Sequence, residues 1–592
     1  MDSTHTRNGG AADAYRKLID IGIALSVERD SAKLMETILL EAKAFTNADA
    51  GTLYLNNEDR ELTFQIVRND TLDIALGGSS GGEIKFRPVP LKTESGEENL
   101  HNVASFAANR GKTINVADAY SDEDEWDFSG TKRFDDSTGY HSKSFLTVPL
   151  KNHERRVIGV MQLINARDGL GNVIAFDEKI VPLVEALASQ AAVSIDNHML
   201  IEAQRRLLDS FIELIAAAID AKSPYTGGHC QRVPELTKML TRAVCESEDA
   251  PFREFMLDED GWYELHIACW LHDCGKVTTP EYVVDKATKL ETIYDRIHEV
   301  RMRFEVLKRD AEIAYLKGRL EGGDESELRE KYQAELAQLD SDFAFIAECN
   351  VGGEFMAPPK IERLKQIAER TWTRTLSDRI GISYAEKQRR EREAEQPLPV
   401  REKLLADRPD HVLHREAVDI MSPDNKWGFR LRMPEHKYNM GEIYNLSIGR
   451  GTLNDEERYK INDHIMQTII MLEGLPFPRH LRRVAEYAGG HHEKMDGTGY
   501  PRGLKREDMS IPARVMAIAD IFEALTAADR PYKPAKKLSE SIKIMGFMVK
   551  DQHIDPDLFK LFLSSGVYRE YAEKFLQPEQ IDEVDLTAYL KA

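Results

Sequence analysis

The stretch His491–Leu504, HHEKMDGTGYPRGL, restricts this chain more than any other. Two adjacent imidazoles and a glutamate are a natural donor set for a metal ion. Three glycines and a proline stand within the same fourteen residues, so the backbone must bend sharply there or let another group come close. Such a segment sits at a helix end, and it needs donors from elsewhere in the chain to complete a coordination shell.

The chain has 592 residues, which predicts several domains, because single cores stop growing at about 250–300 residues. Hydrophobic residues make up 42%, enough for packed globular units. No run approaches the ~20 apolar residues of a membrane span, and the opening MDSTHTRNGGAADAYRK has no apolar signal core. Five cysteines without paired spacing fit a reducing compartment, so a cytoplasmic location is expected. The formal charge of -22 argues against nucleic acid and anionic membranes as partners. An anionic substrate would need a local cluster of cations or metal.

Residues 13–190 read as one α/β unit. An amphipathic helical opening leads into strand-like segments rich in Val, Ile, Thr and Phe: GTLYLNN, ELTFQIV, KTINVAD, SFLTVPLKN and VIGVMQLINAR. A long helix over 178–222 follows. Leu183, Leu187, Ala191 and Ile195 are spaced by four, and Leu208, Ile212, Ile215 and Ile219 by four, three and four. This is a connecting helix able to pair in a homodimer, or one whose two stripes pack on their own domains.

From Ser210 onward the pattern is almost all helical. Ile293, Ile297, Val300, Phe304 and Leu307, then Leu328, Tyr332, Leu336, Leu339, Phe343 and Ile346, flank Gly322-Gly323 and predict a helical hairpin. The charged, proline-punctuated stretch KQRREREAEQPLPVREK and a loop-rich piece follow. Residues 291–450 are read as an insertion.

Further candidate donors are scattered through this second half. WLHDCGK holds His272, Asp273 and Lys276, TGGHCQRV holds His229, and INDHIMQTIIMLE holds His464. VMAIADIFEALTAADRPYK places Asp520 in an otherwise apolar helix, where a carboxylate needs a partner. Each alone is a modest signal. In this order they resemble the HD-GYP subgroup of the HD phosphohydrolases, through HHEKMDGTGYPRGL and ADIFEALTAADRPYK above all.

The resemblance implies an all-α HD-GYP unit over 205–592, interrupted by 291–450. It implies seven metal ligands: His229, His272, Asp273, His464, His491, His492 and Asp520. His464 follows Leu453 by eleven residues, a family-like spacing, whereas His298 belongs to the inserted hairpin. Asp273 would bridge two divalent ions, iron or manganese, about 3.5–4 Å apart, which together act on a phosphodiester. Asp273 and Lys276 are the catalytic candidates. Lys276, Arg514, Arg530 and Lys533 are the candidate phosphate contacts, and Glu493 the candidate partner orienting an imidazole.

The function implied is hydrolysis of cyclic di-GMP to linear pGpG. A catalytically weak receptor, and hydrolysis of 3′,3′-cyclic GMP-AMP, are the alternatives. The GYP loop is also linked, in that family, to signalling partner proteins. In members with three metals a glutamate precedes the first metal histidine by four residues. That position here is Tyr225, a poor ligand at neutral pH, so two metals and accumulation of pGpG are expected. Excision of 291–450 is expected to leave the metal site formed.

FDDSTGYHSKSFLTVPLKN, VIGVMQLINARD and FDEKIVPLVEALASQAAVSIDN resemble a GAF domain, similar to those of cyclic-nucleotide phosphodiesterases. Those carry an Asn-Lys…Phe…Asp-Glu signature. Here Ala166 follows Asn165, and Phe176 directly precedes Asp177-Glu178, so a role in dimerisation or with another small ligand is expected as much as nucleotide binding.

Overall fold

The computed structural model describes residues 16, 19–24, 28 and 30–590, apart from 58, 80, 122–125, 223–227, 354 and 529–534. The chain forms two compact units, Met1–Leu208 and Asp209–Ala592. Among the described residues no helix is long and apolar enough to cross a membrane.

In the first unit, helix Ser31–Thr46 starts at Asp30, whose carboxylate accepts from the Ala32 and Lys33 amides. It ends at Asn47, which adopts the left-handed conformation at φ 53°. An antiparallel sheet follows: β1 Ala48–Asn56, β2 Glu61–Asn69, β3 Ile74–Gly77, β4 Val89–Pro90, β5 Ile114–Val116, β6 Phe145–Lys151, β7 Val157–Arg167 and β8 Val173–Ile174. The main order is β3-β2-β1-β7-β6-β5, with β4 on β2 and β8 on β7.

Strand β1 is buried over its first seven residues rather than alternately, because the sheet is covered on both faces. Leu34, Ile38, Leu39 and Ala42 join Leu53, Leu163, Leu187, Ala191 and Ile195 in one core. Ala104 and Ala107, from helix Val103–Arg110, pack with Tyr54, Leu62 and Val160 in another. The five expected strand segments are present. Helices Val103–Arg110 and Ser129–Thr138 are additions, too short to show a period in the sequence.

Asn165 is buried at φ 58°. Its Nδ2 donates to the Tyr140 hydroxyl and the His141 carbonyl, and its Oδ1 accepts from the Lys143 and Ser144 amides. Phe176 lies in the core. Both residues of the signature remnant are thus parts of the scaffold. A cavity of about 470 Å³ opens over the sheet, lined by Tyr54, Phe64, Arg68 and Tyr140 among others.

Helix Val181–Asp220 is continuous, two or three residues shorter at each end than the sequence predicts. Its exposed apolar side chains include Val193, Leu200, Leu207 and Leu214, which recur every seven residues.

Among the described residues the second unit is helical outside residues 291–450, as expected. Its core joins Val233, Leu236 and Leu240 of helix His229–Cys245 to Val515, Ile518 and Phe522 of helix Ile511–Thr526, under the C-terminal helices. Residues 291–450 carry the expected hairpin, helices Ile297–Leu320 and Glu325–Val351, but also two small antiparallel sheets. These pair Thr371–Arg374 with Val400–Lys403, and Val412–His414 with His436–Asn439. The stripe Ile297, Val300 and Phe304 is buried, whereas Ile293 is 92% exposed and falls outside it.

The chain leaves and re-enters the rest of the unit at one place. Lys289 donates through Nζ to the carbonyls of Leu446 and Ile448, and Lys286 pairs with Glu457 at 2.7 Å. The segment then runs on into the helical core. Phe429 packs with Ile465, Met466 and Ile469 of helix Asp455–Glu473, with Trp427 and Tyr500 beside them. This packing departs from the expectation of a removable insertion.

Candidate metal centre

Segments far apart in the chain deliver the donors. His229 opens helix His229–Cys245, after Gly228 at φ 85°. His272 caps helix Glu259–Leu271, and Asp273 leads into the 3-10 turn Cys274–Thr278. His464 lies within helix Asp455–Glu473, His491 and His492 follow helix Val484–Gly489, and Asp520 lies within helix Ile511–Thr526.

The turn after Asp273 presses onto the His464 helix at a glycine. The Gly275 amide donates to Thr468 Oγ1 at 2.9 Å, and a Cβ on Gly275 would lie 1.9 Å from the His464 carbonyl oxygen. Only glycine allows that approach. It sets Asp273 against His464.

Four imidazoles are oriented through Nδ1. His272 donates to the Cys269 carbonyl at 2.7 Å, His464 to that of Ile461 at 2.5 Å, and His491 to that of Ala488 at 2.6 Å. His229 Nδ1 faces Glu523 Oε2 at 2.5 Å. These oxygens only accept, so the proton sits on Nδ1 and each Nε2 presents a lone pair. All four Nε2 atoms are buried and make no hydrogen bond. A buried polar atom left unpaired costs about 1–3 kcal/mol.

The donors form two groups, His229, His272, Asp273 and Asp520, and His464, His491 and His492, with the ligand atoms of each group within 4.8 Å of one another. Asp273 spans them. Its Oδ2 lies 3.3 Å from both His229 Nε2 and His272 Nε2, and its Oδ1 lies 3.1 Å from His464 Nε2. His229 Nε2 is also 3.3 Å from Asp520 Oδ1. Lone pairs this close repel unless a cation lies between them, and this donor set fits divalent transition metals.

Electrostatics favours the ligand forms of Asp273, Asp520, His491 and His492, whereas at His229 burial is outweighed by Asp273, Asp520 and Glu523, which raise its imidazole well above the usual value without a cation between them. Burial opposes charge on Asp273, yet Lys276 and His272 hold its carboxyl well below the usual carboxylate range. Burial opposes charge on Asp520 too, and His229 and His491 overcome it. Burial, with His272 beside it, pushes the His491 imidazole down to about 4, and burial with His491 and His464 holds His492 well below its usual value. Ionised carboxylates and neutral imidazoles are what a metal binds.

Lys276 reaches back from the turn to place Nζ 2.5 Å from Asp273 Oδ2, with 30% of its side chain exposed. Arg514 does not reach the donors. Its guanidinium pairs with the buried Asp555, which Arg506 also binds, so the structure places it in the scaffold. Arg530, Lys533 and Tyr225 lie outside the described residues. His298 is exposed on helix Ile297–Leu320, away from the donors, as expected of a hairpin residue.

Glu493 differs from expectation. It orients no imidazole. Its carboxylate accepts the backbone amides of Arg502 and Gly503 at Oε1 and that of Leu504 at Oε2, and so ties down the loop that follows. Within that loop a Cβ on Gly499 would meet the Lys494 amide at 2.3 Å, and Tyr500 stacks on His492 with ring centroids 5.0 Å apart. The residue that does orient an imidazole is Glu523, which the sequence reading passed over. Its signal was present: it stands three residues after Asp520, on the same apolar helix.

Residues 30–195 match the GAF domain family, and residues 399–558 match the HD domain family. The second match begins inside 291–450 and leaves out His229, His272 and Asp273, which the fold brings to the same place. The chain is 39% identical over 116 residues to 3′3′-cGAMP-specific phosphodiesterase 1 of Vibrio cholerae, covering 20% of this chain and 26% of that protein. It is 43% identical over 79 residues to a cyclic di-GMP phosphodiesterase of Pseudomonas aeruginosa, covering 13% and 18%. It is 31% identical over 186 residues to the cyclic di-GMP phosphodiesterase response regulator RpfG of Xanthomonas campestris, covering 29% and 48%. The chain therefore spans less than half the length of each of these relatives. Among solved structures, the GAF domain of an Acinetobacter phosphoenolpyruvate-protein phosphotransferase aligns with 32% of this chain and 95% of its own, at 16% identity and a TM-score of 0.24.

Proposed function

We propose that this chain, a GAF domain followed by an HD domain, is a metal-dependent phosphodiesterase that opens cyclic di-GMP to linear pGpG, with the GAF domain modulating it. The observation that carries this reading is Asp273, whose two oxygens face two separate groups of imidazoles. A carboxylate so placed holds two cations side by side. The names of the relatives support the substrate class, and they include both cyclic di-GMP and cyclic GMP-AMP enzymes.

Two divalent ions, iron or manganese, would supply charge neutralisation on the phosphodiester and a nucleophile at neutral pH. His229, His272, Asp273 and Asp520 would hold one, and His464, His491 and His492 the other, with Asp273 shared. The Nδ1 bonds to Cys269, Ile461, Ala488 and Glu523 keep the rings in place. Lys276 stays protonated, because Asp273 and Asp520 outweigh the burial that would lower its pKa. Its ammonium takes a non-bridging phosphate oxygen and stabilises the charge that develops there. The loop around Tyr500 walls the second group.

Three further parts of the reading rest on less local features. Val193, Leu200, Leu207 and Leu214 suit a parallel homodimer along helix Val181–Asp220. The five cysteines are free thiols, four of them buried, which suits the cytoplasm. The loop held by Glu493 is the surface offered to signalling proteins.

The test is incubation of the metal-loaded protein, and of Asp273→Asn, with cyclic di-GMP, cyclic GMP-AMP and cyclic di-AMP. Two equivalents of metal, accumulation of pGpG and loss of both in the variant are expected. Wild-type turnover and metal content in Asp273→Asn would refute the reading.

A further inference from the structure

We propose that the end of helix Val181–Asp220 belongs to the working parts of the metal centre: Asp220 and Lys222 are positioning residues for the two chain segments that deliver His229, Asp273 and Lys276. This rests on the phosphodiesterase reading above.

Helix Val181–Asp220 ends inside the second unit. Ile219, in its last turn, is buried. Ile219, Asp220 and Lys222 line a narrow cavity together with His229, Asp273 and Lys276. Two hydrogen-bonded contacts tie this helix end to the segments that carry the donors.

The first contact holds the turn that bears Lys276. Lys222 Nζ donates to the Lys276 carbonyl at 3.2 Å and to the Val277 carbonyl at 2.5 Å. Both carbonyls belong to the 3-10 turn Cys274–Thr278, which begins directly after Asp273. The turn cannot satisfy the second of them in its own pattern, because the residue three ahead of Val277 is Pro280, which has no N–H. Lys222 supplies that donor. Lys276 is thus held twice, through its carbonyl by Lys222 and through its ammonium by Asp273 at 2.5 Å. Lys222 acts on the reaction only through this turn.

The second contact holds the start of the His229 helix. Gly228, at φ 85°, is the N-cap of helix His229–Cys245, and it has no side chain with which to cap. Its amide donates to Asp220 Oδ2 at 3.2 Å. In a capping box this amide is taken by a carboxylate from the helix's own first turn. Here the carboxylate comes from another helix. Asp220 fixes the backbone beneath His229, while Glu523 aims its ring.

The two contacts bear on different quantities. Lys222 sets where the Lys276 ammonium stands, and so governs turnover. Asp220 sets where the first donor stands, and so governs metal affinity. The two residues stand two apart at one helix end, so a displacement of that end reaches both.

The experiment compares the full-length protein with Lys222→Met, Lys222→Arg, Asp220→Ala and Asp220→Asn. Manganese affinity is read by competition with a chelating dye, and steady-state kinetics on cyclic di-GMP. Lys222→Met keeps the stem but not the donor, and is expected to lower kcat about tenfold with KM within about twofold of wild type. Asp220→Ala is expected to weaken manganese binding about tenfold. Lys222→Arg still donates and Asp220→Asn still accepts, so each should recover most of the loss. Wild-type kcat in Lys222→Met together with wild-type affinity in Asp220→Ala overturns the proposal. A loss that Lys222→Arg and Asp220→Asn share in full overturns it too, because the hydrogen bonds they keep would not be its cause. A wild-type protein that binds manganese but leaves every cyclic dinucleotide intact overturns the phosphodiesterase reading, and the affinity of Asp220→Ala then decides the proposal. If Lys222→Met fails to fold, Asp220→Ala decides it likewise.

Discussion

Glu523 Oε2 lies 2.5 Å from His229 Nδ1, although 294 residues separate the two in the chain. The same carboxylate accepts from Arg232 Nε at 2.8 Å, and Glu523 is 1% exposed. Helix Ile511–Thr526 thus contributes a donor, Asp520, and the residue that aims another. Burial opposes charge on Glu523, but His229 and Arg232 keep its carboxyl below the usual range.

Replacing that carboxylate by an amide should loosen the His229 ring without removing a donor. Glu523→Gln is expected to weaken metal binding about 10–100-fold. Competition titration with a chelating dye reads this directly. Wild-type affinity would show that His229 is aimed by its helix alone.

Gly275→Ala is expected to remove activity without touching any donor. The added methyl meets a backbone oxygen and a backbone nitrogen of helix Asp455–Glu473, neither of which can rotate away. Overpacking of this kind costs about 1–3 kcal/mol or more. Metal content and thermal unfolding should fall together. A variant with native stability and full metal would mean that the turn and the helix separate at little cost.

Glu493 gives a contrasting outcome. Glu493→Ala leaves the amides of Arg502, Gly503 and Leu504 without their acceptor, a loss of about 1–3 kcal/mol. Metal bound at saturation should stay near wild type, because Glu493 touches no imidazole nitrogen. Proteolysis within 496–504 should accelerate. Loss of metal with an intact loop would restore Glu493 to the role that its neighbour His492 first suggests.

Excision of 291–450 is expected to destabilise the helical unit, because it strips Trp427 and Phe429 from helix Asp455–Glu473 and breaks the hydrogen bonds from Arg502 Nε to the Trp427 carbonyl and from the Arg430 amide to the Pro501 carbonyl. Trimming only 310–335, the largely exposed end of the hairpin, should leave metal content and unfolding temperature within error. Circular dichroism and metal analysis of the two deletions separate the cases. A fully folded 291–450 deletion would show that the packing at Phe429 is dispensable.

The candidate donors that the fold gathers were legible because a metal site would need particular atoms in a particular order, and imidazoles beside carboxylates are conspicuous in apolar helices. Asp520 stood out for that reason. What stood out less was the support. Nothing in the local spacing says that Glu493 turns toward amides nine to eleven residues ahead of it, or that Arg514 is taken by Asp555. The strands of the first unit showed their composition, while Val103–Arg110 was too short to show a period. The pairing of His414 with His436 across a two-stranded sheet depends on a return of the chain that no window of sequence reveals.

The close approach of Gly275 to Thr468 sets a schedule for biosynthesis. The two residues are 193 positions apart. At roughly 5–20 residues per second, a ribosome that has delivered Gly275 needs roughly 10–40 s more before Thr468 exists. His272 and Asp273 wait through that interval without helix Asp455–Glu473 to rest against and with only His229 beside them as a further candidate donor. The last donor, Asp520, follows later still. On the proposed reading, metal acquisition would therefore wait until Asp520 has been made, and a nascent chain ending inside the interrupting segment would hold no divalent ion.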